Sequence, residues 1–183
     1  MLTIRTLALG ASLLLAGATV SSCLTAPDYP DTPSIEFEKI TSQRVTDSSG
    51  TYDRVKITVS YRDGDGDLGL NTGDNTDPDY QPPYQYLNPD NTLNKFYDNY
   101  FLQAQRRNTA GTFEDLSFNY NSRFPRLMPE DRNEPKRGDL SFDLNLIQGA
   151  PFFSGDVVRF RLSIADRALN ESNEVFTDPI TIQ

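Results

Sequence analysis

Residues 158–164 read VRFRLSI, in which every second residue is large and apolar: Val158, Phe160, Leu162 and Ile164. Successive side chains of a β-strand point to opposite faces, so this alternation predicts a strand with one buried and one solvated face. The same pattern occurs in residues 55–61 (VKITVSY) and 140–146 (LSFDLNL). Weaker patterns at 35–40, 99–107, 112–118 and 175–182 bring the total to about seven strands. No segment repeats apolar residues with a helical period, which predicts little or no helix.

This pattern predicts an all-β fold, an immunoglobulin or fibronectin type III-like β-sandwich of about seven strands with two long loops. A barrel of similar strand count is the alternative. The long loops are residues 71–98 and 119–137. They contain aromatic and basic side chains of the kind enriched in binding surfaces: Tyr80, Tyr84, Tyr86, Arg123, Phe124 and Arg126. These side chains are candidate binding residues, or they hold the loops against the sandwich.

The N-terminus has the three parts of a signal peptide: a basic residue, Arg5, an apolar run at 7–20, and small residues, Ser21 and Ser22, before Cys23. The run is shorter than the roughly 20 residues that a membrane-spanning helix needs. The segment resembles the lipobox of bacterial lipoproteins, and that resemblance implies lipid attachment to Cys23. The alternative is an ordinary cleaved signal peptide followed by an incidental cysteine.

The chain is therefore predicted to have three parts. Residues 1–22 form a lipoprotein signal peptide. Residues 23–33 are the lipidated cysteine and a proline-rich, semi-rigid tether, since three prolines lie between 24 and 33. Residues 34–183 form the β-sandwich domain.

Composition excludes several classes of function. The chain has one cysteine, Cys23, and no histidine. An internal disulfide, a Ser-His-Asp triad and a histidine-based zinc site are therefore excluded. The whole chain has 17 basic and 26 acidic side chains, and removing Arg5 with the leader changes the net charge from −9 to −10. That sign argues against nucleic acid as a partner, and against binding of the domain itself to an anionic membrane surface.

Residues 63–69 read DGDGDLG and form the sharpest local motif. Carboxylates at alternate positions can fold around one hard cation, and the glycines permit the tight backbone. The segment resembles the calcium loops of EF-hands and related proteins, with Asp63, Asp65 and Asp67 at the first, third and fifth positions. The alternative is a solvated acidic turn at the end of a strand.

A second polar segment, residues 166–172 (DRALNES), follows the strand at 158–164. It resembles the turn between the last two strands of many bacterial immunoglobulin-like domains. In that topology both polar segments emerge at the same end of the sandwich. The sequence therefore predicts one calcium site built from Asp63, Asp65, Asp67, Asp166 and Asn170.

Together the lipobox, the tether, the DGDGDLG loop, the Arg123-Phe124-Pro125 segment and the DRALN turn resemble outer-membrane lipoproteins of Bacteroidota with an immunoglobulin-like domain. The resemblance implies a lipid-anchored location on the bacterial outer membrane, on its periplasmic or its cell-surface face. It implies no mechanism, because a fold does not fix a function.

From these features we expect a membrane-anchored, non-enzymatic binding or assembly module of the bacterial envelope, possessing a calcium site but no catalytic residues. Its partner would be an envelope protein complex or a glycan, contacted through the tyrosine-rich loop and the acidic loop. The alternatives are a carboxylate-based hydrolase that acts on glycan and a purely structural spacer. Nothing in the spacing of the acidic residues picks out the carboxylate pair that a glycosidase requires.

Overall fold

The computed structural model describes residues 27–48, 50–73, 76–128, 133–149 and 151–183. The predicted signal peptide and Cys23 lie outside the described residues. The eight strands of the described chain are β1 Ser34–Asp47, β2 Gly50–Asp63, β3 Tyr100–Arg107, β4 Phe113–Asn119, β5 Lys136–Ile147, β6 Val157–Ile164, β7 Val175–Phe176 and β8 Ile180–Thr181. Two antiparallel sheets pack together, which confirms the predicted β-sandwich. The immunoglobulin-like type of the sandwich stays a prediction.

The first sheet has the strand order β1-β2-β5. Its central strand, β2, pairs along its length with both neighbours: Val59 lies opposite Phe37 of β1 and opposite Leu140 of β5. β1 extends seven residues past the pattern that predicted it, which ended at Ile40. A β-bulge between Phe37 and Lys39 shifts the register of this edge strand, and a shift of one residue interrupts the alternation that sequence reading depends on.

The second sheet has the order β4-β3-β6-β7, and β8 also pairs with β6. The segment predicted as one strand at 175–182 forms two short strands. Between them, Thr177 exchanges hydrogen bonds with Phe160: its Oγ1 accepts from the Phe160 N–H at 3.0 Å, and its own N–H donates to the Phe160 carbonyl at 2.9 Å. Pro179, which follows, has no N–H to donate, so regular pairing stops and resumes at Ile180.

The core lies between the two sheets and is built from the alternating apolar residues. Val59, Phe160 and Leu162 are fully buried in one cluster, and Phe142 packs against it. Phe142 stacks on Tyr100 with ring centroids 4.9 Å apart, so this aromatic pair joins the two sheets. The prediction that Val59, Phe142, Phe160 and Leu162 share one core is confirmed.

Both long connections are at the end of the sandwich where β2 finishes. Residues 64–99 join β2 to β3 and contain two short 3-10 turns, Pro78–Tyr80 and Lys95–Tyr97. Residues 120–135 join β4 to β5, and Ser122 exchanges two backbone hydrogen bonds with Tyr100 at the start of β3. The described residues contain no helix long and apolar enough to cross a membrane.

Phe160→Ala should reduce the free energy of unfolding by about 3–5 kcal/mol, because it leaves a cavity at the centre of β6. Urea denaturation followed by circular dichroism measures the change. Phe153→Ala is the matched control, since Phe153 is 55% exposed in the β5–β6 connection and its truncation should cost far less. Equal stability of the two variants would contradict the assigned register of β6.

Candidate metal centre

Three carboxylates converge where β2 ends. Asp63 is the last residue of β2, paired with Lys136 of β5, and the chain turns sharply after it. Asp63, Asp65 and Asp67 each offer an oxygen atom, and these atoms all lie within 4.8 Å of one another. This is the arrangement that the DGDGDLG motif predicts. A cluster of oxygen atoms can hold a hard divalent cation.

Asp63 is the unusual member of the group. Its residue is 0% exposed, and the backbone N–H of Gly66 lies near the carboxylate and lowers its pKa, but its geometry is too poor for a regular hydrogen bond. Asp67 Oδ1 is also buried without a partner in the described chain. Buried polar groups in folded proteins are almost always hydrogen bonded, and a buried charge without a partner is costly. A carboxylate in this state is stabilised by a proton or by a bound cation.

The turn at 166–172 meets the acidic loop, as the sequence predicted. Leu68 and Asp166 form an isolated antiparallel bridge, and Asp67 Oδ2 accepts from the Ala168 N–H at 3.0 Å. The Asp166 carboxylate, however, is engaged with Asn170: it accepts from the Asn170 N–H at 2.7 Å and from Nδ2 at 2.8 Å. Asp166 and Asn170 therefore border the three-aspartate group, and in this structure they satisfy each other.

The electrostatics of the loop favour neutralisation of its carboxylates, by protons or by a cation. Burial first, and then the charges of Asp65, Asp67 and Asp166, raises the pKa of Asp63 from 3.8 to about 7. Burial and the charge of Asp166 raise the pKa of Asp67 to about 6. Burial also raises the pKa of Asp166, against the effect of its hydrogen bonds to Asn170. In each case the ionised form is disfavoured, so a cation among these groups would be stabilising.

Two glycines of the loop are required by close backbone contacts. A Cβ atom on Gly64 would lie 2.3 Å from the Tyr29 carbonyl oxygen, so the segment before β1 lies directly against the acidic loop. Gly69 has φ +98°, and a Cβ atom there would lie 2.3 Å from the Pro125 carbonyl oxygen. The described part of the predicted tether is thus docked on the domain. The glycines serve backbone packing as well as the turn itself.

Arg123 holds the long β2–β3 connection together. Its guanidinium donates to the backbone carbonyls of Tyr97, of Asp79 at 2.8 Å and of Tyr84 at 2.9 Å. It also lies over the rings of Tyr80 and Tyr97, 4.1 and 4.3 Å from their centroids. One side chain from residues 120–135 thereby organises residues 71–98, because several otherwise unpaired carbonyls share one charged donor.

The other candidate binding residues have mostly internal contacts. Phe124 is buried and belongs to the core. Arg126 forms a two-pronged ion pair with Asp79, at 2.8 and 2.6 Å, and the Tyr84 hydroxyl donates to the Arg167 carbonyl. Tyr86 differs, because its side chain is 58% exposed. Of the six, Tyr86 is the side chain most open to a partner.

Sequence reasoning missed the buried polar residues that position these loops. Asn99 accepts from the Phe124 N–H at 2.9 Å through Oδ1, and the Phe124 carbonyl accepts from the Leu70 N–H at 3.0 Å. Asp79 receives the Asn71 N–H at 2.7 Å in addition to Arg126, which together lower its pKa despite burial. An Asn or Asp inside an irregular loop has no periodic pattern, so no local signal marks it as buried.

Comparison with known proteins adds no functional assignment. No family model matches the chain, and no curated protein matches it. Among solved structures, the X-ray structure of the Northeast Structural Genomics Consortium target SoR45 aligns with 85% of this chain and 87% of that chain, at 8% identity and a TM-score of 0.25. A likeness this low carries no inference about function.

The raised pKa values predict how stability depends on pH when no metal is bound. Between about pH 4 and 7 the folded state binds more protons than the unfolded state, because Asp63 titrates near 7 when folded and near 3.8 when unfolded. Stability must therefore fall as pH rises through this window. We expect the melting temperature in metal-free buffer to be lower at pH 8 than at pH 5, and Asp63→Asn to reduce that difference. A wild-type melting temperature that rises over this range would contradict the assignment.

Proposed function

We propose that the chain is a lipid-anchored, non-enzymatic binding or assembly module of the bacterial envelope, with an immunoglobulin-like sandwich stabilised by calcium. The observation that carries the calcium part of the proposal is the buried Asp63 carboxylate, which has no well-formed hydrogen bond to a described residue and lies beside Asp65 and Asp67. The calcium role is structural, because the site lies at the base of the loop that carries the exposed tyrosine.

Calcium fits this donor set better than the other common cations. The available ligands are carboxylate oxygens, with backbone carbonyls and water to complete the six to eight positions that Ca²⁺ takes. Zn²⁺ prefers nitrogen and sulfur, and the chain has no histidine and only Cys23. Mg²⁺ demands a stricter octahedral geometry and keeps several of its waters. An irregular loop that alternates Asp with Gly suits the more adaptable coordination of Ca²⁺.

A bound ion would act on the contacts around residues 63–69. The Leu70 N–H donates to Phe124 at 3.0 Å, the Leu127 N–H donates to Leu68 at 3.1 Å, and the Glu134 N–H donates to Asp65 at 3.1 Å. These bonds join the β4–β5 connection to the acidic loop, which is the first part of the β2–β3 connection. Removing the repulsion among the carboxylates would therefore stabilise both connections together, and with them the surface that they present.

The anchor and the location rest on the sequence. The apolar run, Ser21, Ser22 and Cys23 support lipid attachment, and the resemblance to outer-membrane lipoproteins of Bacteroidota supports the outer membrane. The partner would be an envelope protein complex or a glycan. The acidic net charge disfavours nucleic acid in this role.

Calcium should raise the melting temperature of the wild-type chain, because a ligand bound only by the folded state stabilises it. With a dissociation constant of about 1 mM, as in extracellular calcium modules, 10 mM Ca²⁺ would add about 1.4 kcal/mol relative to EDTA. Asp63→Asn should remove this gain and should be at least as stable as wild type in EDTA, since it deletes a buried charge. Differential scanning calorimetry measures both effects.

The matched control for that experiment is Asp143→Asn, an exposed carboxylate on β5 that should leave the calcium response intact. Identical wild-type melting curves in calcium and in EDTA would remove the metal from the proposal. An equal calcium response in Asp63→Asn would move the site away from the end of β2.

Lipid attachment predicts that the wild-type chain, expressed in a bacterium, partitions into the detergent phase of a Triton X-114 extraction. Cys23→Ser should transfer it to the aqueous phase, because the acylated residue is lost. Ser22→Ala keeps a small residue before the cysteine and should leave the partitioning as it is. Partitioning that does not respond to Cys23→Ser would overturn the anchor.

A further inference from the structure

A cavity of about 290 Å³ lies beside the tip of the long β2–β3 connection. Its walls include Tyr86, Leu93, Tyr97 and Asp98 from that connection, and Asn119 and Asn121 at the end of β4. Lys95 also lines it, and its ammonium is paired with Glu171 at 2.5 Å. Its volume is close to the lower end of the range for small-molecule sites, about 300–1,000 Å³. It is separate from the three-aspartate group, none of whose residues lines it.

The apolar wall is held in place before any ligand arrives. Residues 87–93 form a tight hairpin, with a bridge between Leu87 and Leu93. The ring of Tyr86 packs edge-on against that of Tyr97, with centroids 5.1 Å apart, and Tyr97 in turn packs under the Arg123 guanidinium. The exposed ring of Tyr86 is therefore a fixed platform, which reduces the entropy lost on binding.

The polar wall carries groups with unused hydrogen-bonding capacity. The half-buried Asp98 carboxylate accepts no hydrogen bond from the described residues, and burial raises its pKa. Asn119 and Asn121 use their side-chain oxygens, which accept from the Asn121 N–H at 3.2 Å and from the Leu102 N–H at 3.0 Å. Their amide NH₂ groups donate to no described residue. Acceptors and donors thus line one cavity.

This combination defines the chemistry of the ligand. A carboxylate beside two amide donors matches a group that both donates and accepts, as neighbouring sugar hydroxyls do. A cationic ligand would satisfy Asp98 but would face the amide donors and the Lys95 ammonium, and an anionic ligand would face the Asp98 carboxylate while Lys95 is already paired with Glu171. A flat, exposed tyrosine ring offers its electron-rich face to the C–H groups of a sugar ring.

We propose that this cavity binds a neutral sugar unit of a glycan, with the ring face on Tyr86 and the hydroxyls on Asp98, Asn119 and Asn121. The inference deepens the proposed binding function by naming its ligand class and its site. It does not depend on the metal, because the cavity and the acidic loop share no lining residue.

The test is calorimetric titration of the full chain with neutral oligosaccharides of glucose and of N-acetylglucosamine, in a detergent without a sugar headgroup. At least one series should bind. Tyr86→Ala and Asp98→Ala should each weaken that binding by about tenfold, the size expected for a central contact. Tyr86→Phe keeps the ring and should retain binding. Phe153→Ala removes an exposed ring at a distant site and should also leave binding unchanged.

Three results would overturn the inference: no binding of either series, binding that Tyr86→Ala and Asp98→Ala leave unchanged, or binding of polylysine without binding of any saccharide. The titration is repeated in EDTA and in calcium. A chain that gains stability from calcium but binds no saccharide overturns this inference alone. A chain that binds saccharide with no calcium response supports it and overturns the metal site instead.

Discussion

Burial of the Asp63 carboxylate sets the conditions under which this end of the molecule can fold. Asp63 lies at an even interval from Val55, Ile57 and Val59 along β2, so its side chain is on the same buried face of the sheet as theirs. The chain then places Asp65 and Asp67 beside it, and neither Asp63 oxygen has a well-formed hydrogen bond to a described residue. Backbone segments from the tether, from residues 120–127 and from the turn at 166–168 all contact this loop. The position of each depends on how the charge is neutralised.

Arg123 stabilises the long β2–β3 connection by donating to its backbone carbonyls. Irregular segments leave backbone carbonyls without partners, and a fixed planar guanidinium can satisfy several at once. The rings of Tyr80 and Tyr97 both lie against the guanidinium and shield part of it from water, which strengthens those bonds. A lysine at this position would supply a compact positive charge, but not the planar set of N–H donors that the guanidinium has. The ordered loop surface, including the Tyr86 platform, is thus a product of one side chain from a different connection.

The alternating strands and their shared core were predictable because each has a regular period that burial imposes. The strand from Val158 to Ile164 could be predicted without any information about tertiary contacts. The β-bulge in β1 and the division of the last strand at Thr177 were not predictable, since both arise from register against a partner strand. At the candidate site, the spacing of the aspartates was enough to predict that they group together. The contact between the segments that contain Leu68 and Asp166 followed from the expected topology. The role of Arg123, the internal pairing of Asp166 with Asn170, and the unpaired Asp98 depend on contacts between distant segments, which a linear pattern does not encode.

If Cys23 carries a lipid, as proposed, the contact between Tyr29 and Gly64 decides which end of the domain lies nearer the anchor. β1 begins at the same end of the sandwich as the acidic loop, and the segment before β1 is held against that loop. Six peptide units separate Cys23 from Tyr29, and an extended chain spans at most about 3.6 Å per residue, so their reach is roughly 20 Å. A surface that holds Cys23 would therefore be close to the long loops, while the β1–β2 turn and the β5–β6 connection would point away from it. With such an anchor, a partner of those loops would be reached close to that surface.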